Sequence, residues 1–591
     1  MAYPTPKVEI AFDDGPYVAS PTWTDVTSYV RSMSTDRGRS DDWETFYGSA
    51  SLVLDNRTRR FDPFYTSGPY YGKLLPRRQI KISAVYGGTT YPVFRGYIAG
   101  WPPVWTDAGK DSTVSLSCFD AMGLLASDSL PADWSRDYIL SLSPRHYYPC
   151  DEPVISFTTN SLRDLGSYPQ AMAVTNGTIG SELAVGLPSA SVQMESATTG
   201  LVPSTLNTSF TISTWQNYNP GNNFYIGNYI VNLYFDDSTG KYVVIITNNT
   251  TLGIRVYESN STFEGGAPFN LACTFDIGTS AFQMYLNGVA LASTLSTFTT
   301  TTGLFYEGIT LTRGEYQQVI VFHSVLTAAQ IQQIYNLSIA NFPETTAARF
   351  TRLIGLTSFP TALTSPPSAP ASSVLDFTDD APTLTSELQK VADSEYAPLF
   401  VNRSGVLTLY NQNQIRSQTN SIVSQATYGS GGVSIGQEVA ISYDGDSMRN
   451  VANVTMSQGG VYIKENTSSV SAYGAAEASV DTEVGLFANA EQIGNIVSGW
   501  GGQVYPKADP FDVVLSPNND WASTLDRELN DRITLVVQPP TGNAISNQML
   551  LSRVAHSVVP GEWRTTFEGS ARWAAVFILN QSTLNGTDLL G

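Results

Sequence analysis

Apolar positions recur at every second residue through the first 142 residues. Ala50, Leu52 and Leu54 form one such run, Ile80, Ile82 and Ala84 a second, and Val114, Leu116 and Cys118 a third. A period of two marks strands that give one face to a core. Glycine turns such as Tyr86-Gly87-Gly88 separate the runs, and several short strands at this spacing predict a small barrel or sandwich. A short helix follows, capped by Asp120 and carrying Met122, Leu124 and Leu125.

Residues 143–342 change character. They are rich in Thr, Ser and Asn, with strand-like runs at 210–215, 229–235, 242–246 and 282–286. Turn signals at Asp236-Asp237-Ser238 and Leu286-Asn287-Gly288 fall between hydrophobic runs. The segment closes on a helix with consistent start signals. Thr327 and Gln330 make a capping box, Leu326 packs on Ile331 as a staple, and Ile331, Ile334 and Tyr335 share a face.

Residues 356–373 read LTSFPTALTSPPSAPASS, a semi-rigid connector by composition. Leu384, Leu388 and Val391 then give a short amphipathic helix, with strands near 399–401 and 406–410. Beyond 441 strands return, interrupted by a helix carrying Leu486, Ala490, Ile493, Val497 and Trp500. Val554, His556 and Val558 face one way before a Pro560-Gly561 turn into Trp563, Thr565 and Phe567.

Composition narrows the class. The 591 residues suggest three to five domains. Only 14% are charged, against about 25% in ordinary soluble proteins. The net charge of −20 argues against adhesion to nucleic acid or anionic lipid. No window approaches ~18 apolar residues, so no membrane-spanning helix is expected. Three cysteines without CxxC spacing argue against a disulfide scaffold, and no signal peptide is read at the start of the chain. These features predict a large β-rich protein made in a reducing cytoplasm.

Candidate chemistry is sparse. Three histidines, His146, His323 and His556, form no metal-ligand spacing, so no metal and no cofactor is expected. His146 and Cys150 lie four apart, but Pro149 interrupts a helix that would align them as base and nucleophile. His556 continues an apolar face and reads as a hydrogen-bonded core residue, and Cys118 as a small buried one. The acidic pairs Asp13-Asp14, Asp41-Asp42, Asp236-Asp237 and Asp379-Asp380 sit in turn or cap contexts, and calcium at Asp236/Asp237 is the weaker reading. No catalytic residue is assigned. Arg57, Arg59, Arg60, Arg77 and Arg78 form a basic cluster suited to pairing with carboxylates across a subunit interface. Trp215, Tyr218, Phe224, Tyr225 and Tyr229 crowd beside Asn and Gly and are the candidate glycan-binding surface, weighed against a core role.

Two resemblances emerge from these motifs. The run His146-Tyr147-Tyr148-Pro149-Cys150-Asp151-Glu152, the strand at 210–215, Met284-Tyr-Leu-Asn-Gly288 and residues 319–335 resemble, in order, the signatures of laminin-G/concanavalin A-like jelly rolls. The flanks resemble minor tail proteins of long-tailed bacteriophages. The matching residues are Thr27-Ser-Tyr-Val30, Arg37-Gly-Arg39, Ala50-Ser-Leu-Val-Leu-Asp-Asn56 with Arg60-Phe-Asp-Pro63, Pro76-Arg-Arg78 and Phe94-Arg-Gly-Tyr97. Tyr443-Asp-Gly-Asp446, Arg449-Asn-Val451 and residues 558–566 (VVPGEWRTT) match the distal half.

The expected fold is therefore mainly β and multidomain. It comprises a hub-type β-barrel at 1–142, an inserted β-sandwich jelly roll at 143–342, a connector at 343–373 and a small α/β domain at 374–440. A second hub barrel with a helix spans 441–572, and a tail spans 573–591. The resemblance implies a non-enzymatic baseplate or tail-tip hub of the virion, assembled as a homotrimer in the bacterial cytoplasm. Its implied partners are the distal tail or tube proteins and the tip or fibre proteins. The jelly roll would project outward toward host cell-wall glycan. Three chains would carry −60, an acidic lumen that repels genome DNA in passage. The alternative is a glycan-binding adhesin of the tail, with an enzyme as the third reading.

Overall fold

The computed structural model describes residues 3–571, apart from 40–42, 45, 107–108, 129–133, 151–159, 182–190, 200–208, 217–221, 227–228, 237, 249–252, 264–268, 301–308, 339–343, 369–372, 375–382, 437–438, 444, 446, 457–459 and 515–519. The protein is mainly β and multidomain, and it divides into two compact units: Met1–Leu130 with Pro343–Gly591, and Pro131–Phe342. The C-terminal stretch read as a tail lies outside the described residues.

One sheet organises the first unit. Its strands run in the order Thr24–Asp25, Thr5–Ile10, Gln79–Tyr86, Thr89–Ile98, Asp111–Phe119, Ser49–Asp55, Val30–Gly38, Ile545–Val559, Arg532–Val537 and Thr427–Gly429. Glu562–Ser570 pairs along the other edge of Ile545–Val559 and carries Phe511–Val514. Among the described residues these pairings close no ring, and they run through both of the regions expected as barrels as one sheet. The two halves are joined because Val30–Gly38 pairs antiparallel with Ile545–Val559, from Met33 opposite Val558 to Gly38 opposite Arg553. Leu52, Ile80 and Leu116 accordingly share one core with Val554, Trp563 and Phe567. Nothing local in the sequence marks a pairing across so many residues.

Buried arginine reinforces that junction. Pro92 pairs with Ser83 and Phe94 with Ile82, so Val93 is an extra, bulged residue. Arg37 Nε donates to the Val93 carbonyl at 3.1 Å, while Nη1 reaches Glu528 Oε1 at 2.6 Å and the Val401 carbonyl at 3.4 Å. The Arg37-Gly-Arg39 motif is thus a structural tie. Gly96 of the Phe94-Arg-Gly-Tyr97 motif is equally constrained, because a Cβ there would lie 2.3 Å from the Phe119 carbonyl oxygen.

The stretch 343–373, read as a connector, is largely docked structure. Thr345 caps the helix Thr346–Gly355, which buries Phe350, Leu353 and Ile354. Thr364–Ser365 then pairs in parallel with Leu407–Leu409. The Pro- and Ser-rich tract at 356–373 gives no sign of the apolar helix that precedes it. The helix Leu384–Glu395, capped by Thr383, buries Leu384, Leu388 and Val391 as its spacing predicts. The helix Phe487–Gly501 covers one face of a three-stranded sheet made of Val461–Glu465, Val451–Thr455 and Glu477–Asp481.

The second unit is built on the strand Ile309–Phe322. Phe210–Gln216 and Asn222–Ile226 pair along one of its edges, and Ser191–Thr199 and His146–Tyr148 along the other, so the sheet divides along this strand. Phe210, Ile212, Leu233, Leu271 and Met284 fill the core between. Both the predicted hairpin and the predicted helix are present. Asn287 and Gly288 adopt φ of 50° and 76° between paired Leu286 and Val289, the turn an Asn-Gly pair favours. Thr327 Oγ1 accepts from Gln330 N at 3.3 Å and Gln330 Oε1 accepts from Thr327 N at 2.9 Å, opening the helix Ala328–Ser338.

Candidate interaction surfaces

The proposed aromatic platform divides. Trp215 sits on Phe210–Gln216, is only 4% exposed and stacks on Tyr335 with ring centroids 5.5 Å apart. Its indole N–H donates to Ser338 Oγ at 2.8 Å. A ring so covered, with its single donor occupied, has a core role, and it is not a face offered to sugar. Phe224 and Tyr225 lie on Asn222–Ile226 and Tyr229 opens Tyr229–Asp236, where Phe224 pairs with Val231, Tyr225 with Ile230 and Tyr229 with Ile226. Tyr218 lies outside the described residues.

The arginines are mostly engaged within their own chain. Arg57 pairs with Asp55 at 2.5 Å and Arg59 with Asp62 at 2.8 Å. Arg60 lies over the rings of Tyr29 and Tyr70. Arg77 donates to Ser127 Oγ at 3.3 Å, and Arg78 to the carbonyls of Lys73 and Asp14 at 3.1 and 2.6 Å. The expected carboxylate partners therefore exist for Arg57 and Arg59, but from the same chain.

His146 and Cys150, weighed as base and nucleophile, have other partners. His146 Nδ1 lies 2.7 Å from Asp164 Oδ2, and both residues are buried. Burial alone would raise the Asp164 carboxyl, but the hydrogen bonds from His146 and from Tyr147, Gly166 and Gln170 N–H hold it below its usual value. Cys150 is buried with its Sγ 3.6 Å from the Tyr148 carbonyl. Burial pushes the Cys118 thiol up, and that of Cys273 to about 12, which leaves both as inert thiols. Burial also pushes His556 down to about 3, between Thr565 and Trp563. Asp236 accepts from the Ser238 N–H and hydroxyl, as a turn acid does, whereas Asp237 lies outside the described residues. Among the described residues no cluster of His, Cys, Asp or Glu could hold a metal ion.

Two surfaces escaped the sequence reading. The loop between Ser49–Asp55 and Gln79–Tyr86 buries Phe61 and Leu74 yet leaves Phe64 77% exposed, with Tyr71 and Leu75 about half exposed. Within the three-stranded sheet, the face away from the helix carries exposed Val461 and Ile463. Alternation flags strands, but it does not reveal which apolar faces stay uncovered.

No family model matches the chain, and no curated protein does. Among solved structures, a 43 kDa tail protein of prophage MuSo2 from Shewanella oneidensis aligns over 96% of this chain and 98% of its own, with 8% identity and a TM-score of 0.38. A tail protein from Neisseria meningitidis MC58 aligns over 97% and 98%, with 8% identity and a TM-score of 0.41. Domain 4 of the arabinanase AbnA from Geobacillus stearothermophilus, in complex with arabinotriose, covers 33% of this chain and 98% of its own, with 16% identity and a TM-score of 0.20. Identities and scores this low do not establish a shared fold.

Proposed function

We propose that the protein is a structural component of a long-tailed phage virion, a trimeric tail-tip or baseplate hub that joins the tail tube to the tip. The observation that carries this reading is the interrupted scaffold. Two stretches of chain on either side of 131–342 complete one sheet and one core, while the intervening residues fill a core of their own. Such a division suits a load-bearing body with an inserted accessory module. The tail-protein-like motifs fall in the body as ties and turns: Arg37 bridges strands, Gly96 admits a close backbone contact, and the VVPGEWRTT run forms the hairpin into Glu562–Ser570. These are mechanical roles, and no side-chain constellation described above supplies a catalytic one.

In this reading three copies close around the tail axis through heterologous contacts. Their summed acidity discourages genome DNA from adhering during passage. Tube, distal tail and fibre proteins are its neighbours, and the inserted unit is the module offered to the host surface. A primary role as glycan-binding adhesin is less favoured, since Trp215 is committed to the core. Replacing 131–342 by a short linker in the phage tests this. Particles with complete tails and poorer adsorption are expected. Loss of tails with soluble, folded protein would overturn the division of labour, and wall-degrading activity of the purified chain would overturn the non-enzymatic role.

A further inference from the structure

We infer that the loop at 57–76 of one copy docks on the bare face of the three-stranded sheet of the next copy, and that this heterologous contact builds the ring. The inference rests on the hub reading and names the two surfaces it uses.

The loop is built to present side chains. Backbone hydrogen bonds recur every third residue, from Asp62 N to Arg59 O, Tyr65 N to Asp62 O, Gly68 N to Tyr65 O and Tyr71 N to Gly68 O, at 2.9 to 3.3 Å. Beneath them Phe12, Phe61, Tyr70 and Trp101 stack, with Phe12 and Tyr70 centroids 3.9 Å apart. Little ordering entropy is left to lose on binding. Outward stand Phe64, Tyr71 and Leu75. Beside them Arg57, Arg59 and Lys73 each touch one carboxylate of their own chain and remain 63%, 47% and 44% exposed. Aromatic and arginine side chains on a rigid support are what the centre of an interface uses.

The sheet face offers the complement. Its rows read, in register, Glu465–Val451–Glu477, Ile463–Asn453–Ser479 and Val461–Thr455–Asp481. These nine positions hold three apolar side chains and three carboxylates and no Lys or Arg; among the described residues the one cation acting on them is Lys390, near Asp481 at one corner. The opposite face is already used, since Ala452, Val454 and Val480 pack with Ile493 and Val497 of the helix. Among the described residues Val461–Glu465 is also an edge strand of this sheet.

Charge selects a second copy as the occupant. Residues 57–76 hold four Lys or Arg and one Asp, a local +3, so the remainder of a chain of net −20 carries −23. A neighbouring copy therefore presents acid to this loop almost anywhere, and presents acid with matching apolar area on the bare sheet face. Because the two surfaces differ, the contact is head-to-tail and propagates until it closes.

The test uses the full chain, with mass read by light scattering and folding by circular dichroism. A loop variant carries Arg57→Glu and Phe64→Ala, and a sheet variant carries Ile463→Lys and Glu477→Lys. All four positions are exposed, so both variants are expected to fold. Wild type is expected to assemble, less so at high salt. Each variant alone is expected to be monomeric, its self-association weakened by about 100-fold. Mixed in equal amounts, the variants are expected to form a dimer and nothing larger, since one intact loop meets one intact sheet face. Assembly of either variant as wild type, or a mixture that stays monomeric, overturns the inference and leaves the hub standing. A wild type that assembles through these surfaces into a number other than three overturns the trimer and keeps the contact. A monomeric wild type overturns both.

Discussion

Replacing Arg37 by Met tests the tie between the two ends of the chain. The side chain is 4% exposed, and its stem volume is largely kept by Met. What disappears is one charge pair with Glu528 and two donors to the carbonyls of Val93 and Val401. Breaking a buried ion pair from one side costs about 3–5 kcal/mol. Glu528 still accepts from Arg403 N and Leu529 N, both at 2.8 Å, which places its share at the lower end. Each orphaned carbonyl adds about 1 kcal/mol. The expected loss is thus roughly 4–5 kcal/mol, read as a lower urea midpoint in tryptophan fluorescence. Combining Arg37→Met with Glu528→Gln should reveal a coupling of at least ~1 kcal/mol. A loss below about 1 kcal/mol, or strictly additive variants, would refute the view that this arginine fastens the shared sheet.

Three further outcomes are expected. Burial, with the like charges of Asp481 and Glu44, pushes Asp393 up to about 7. Between the unfolded value near 4 and that folded value the native state binds the extra proton, so this group's contribution to stability falls as pH rises and levels off above 7. Asp393→Asn should therefore match wild type near pH 4 and be the more stable by on the order of 2 kcal/mol at pH 8, in paired urea titrations. Gly288→Ala places a Cβ 2.8 Å from Tyr335 Cβ at φ 76°, and should lower the stability of the second unit by about 1–2 kcal/mol in calorimetry. Trp215→Ala should destabilise that unit by about 3–5 kcal/mol and Ser338→Ala by about 1 kcal/mol, with no sugar needed to see either effect.

Local signals were legible wherever neighbours in sequence settle the structure. The capping box of Thr327 and Gln330, the Asn287-Gly288 turn and the buried face of Val554, His556 and Val558 all follow from residues within a turn of each other. The joining of both halves in one sheet was not legible, because the partner of Val30–Gly38 lies in the last tenth of the chain. The docking of 343–373 was hidden for a related reason: Phe350 and Leu353 need a distant surface to bury against, and the Pro- and Ser-rich tract that follows at 356–373 dominates the composition. Among the proposed sites, Trp215 shows why an aromatic count cannot separate platform from core. The side that a ring turns outward depends on the helix Ala328–Ser338, which packs on it from more than a hundred residues away.

The pairing of the first long strand with one of the last bears on how the protein is made. Arg553 and Asp36 form their ion pair across 517 positions of chain. At ribosomal rates of about 5–20 residues per second, the early strand waits roughly half a minute to two minutes with one edge bare. During that interval nascent chains on one polysome can pair with each other through that edge. A polypeptide that stops short of Ile545 cannot satisfy the early edge, so a truncated product keeps an unpaired strand and a divided core.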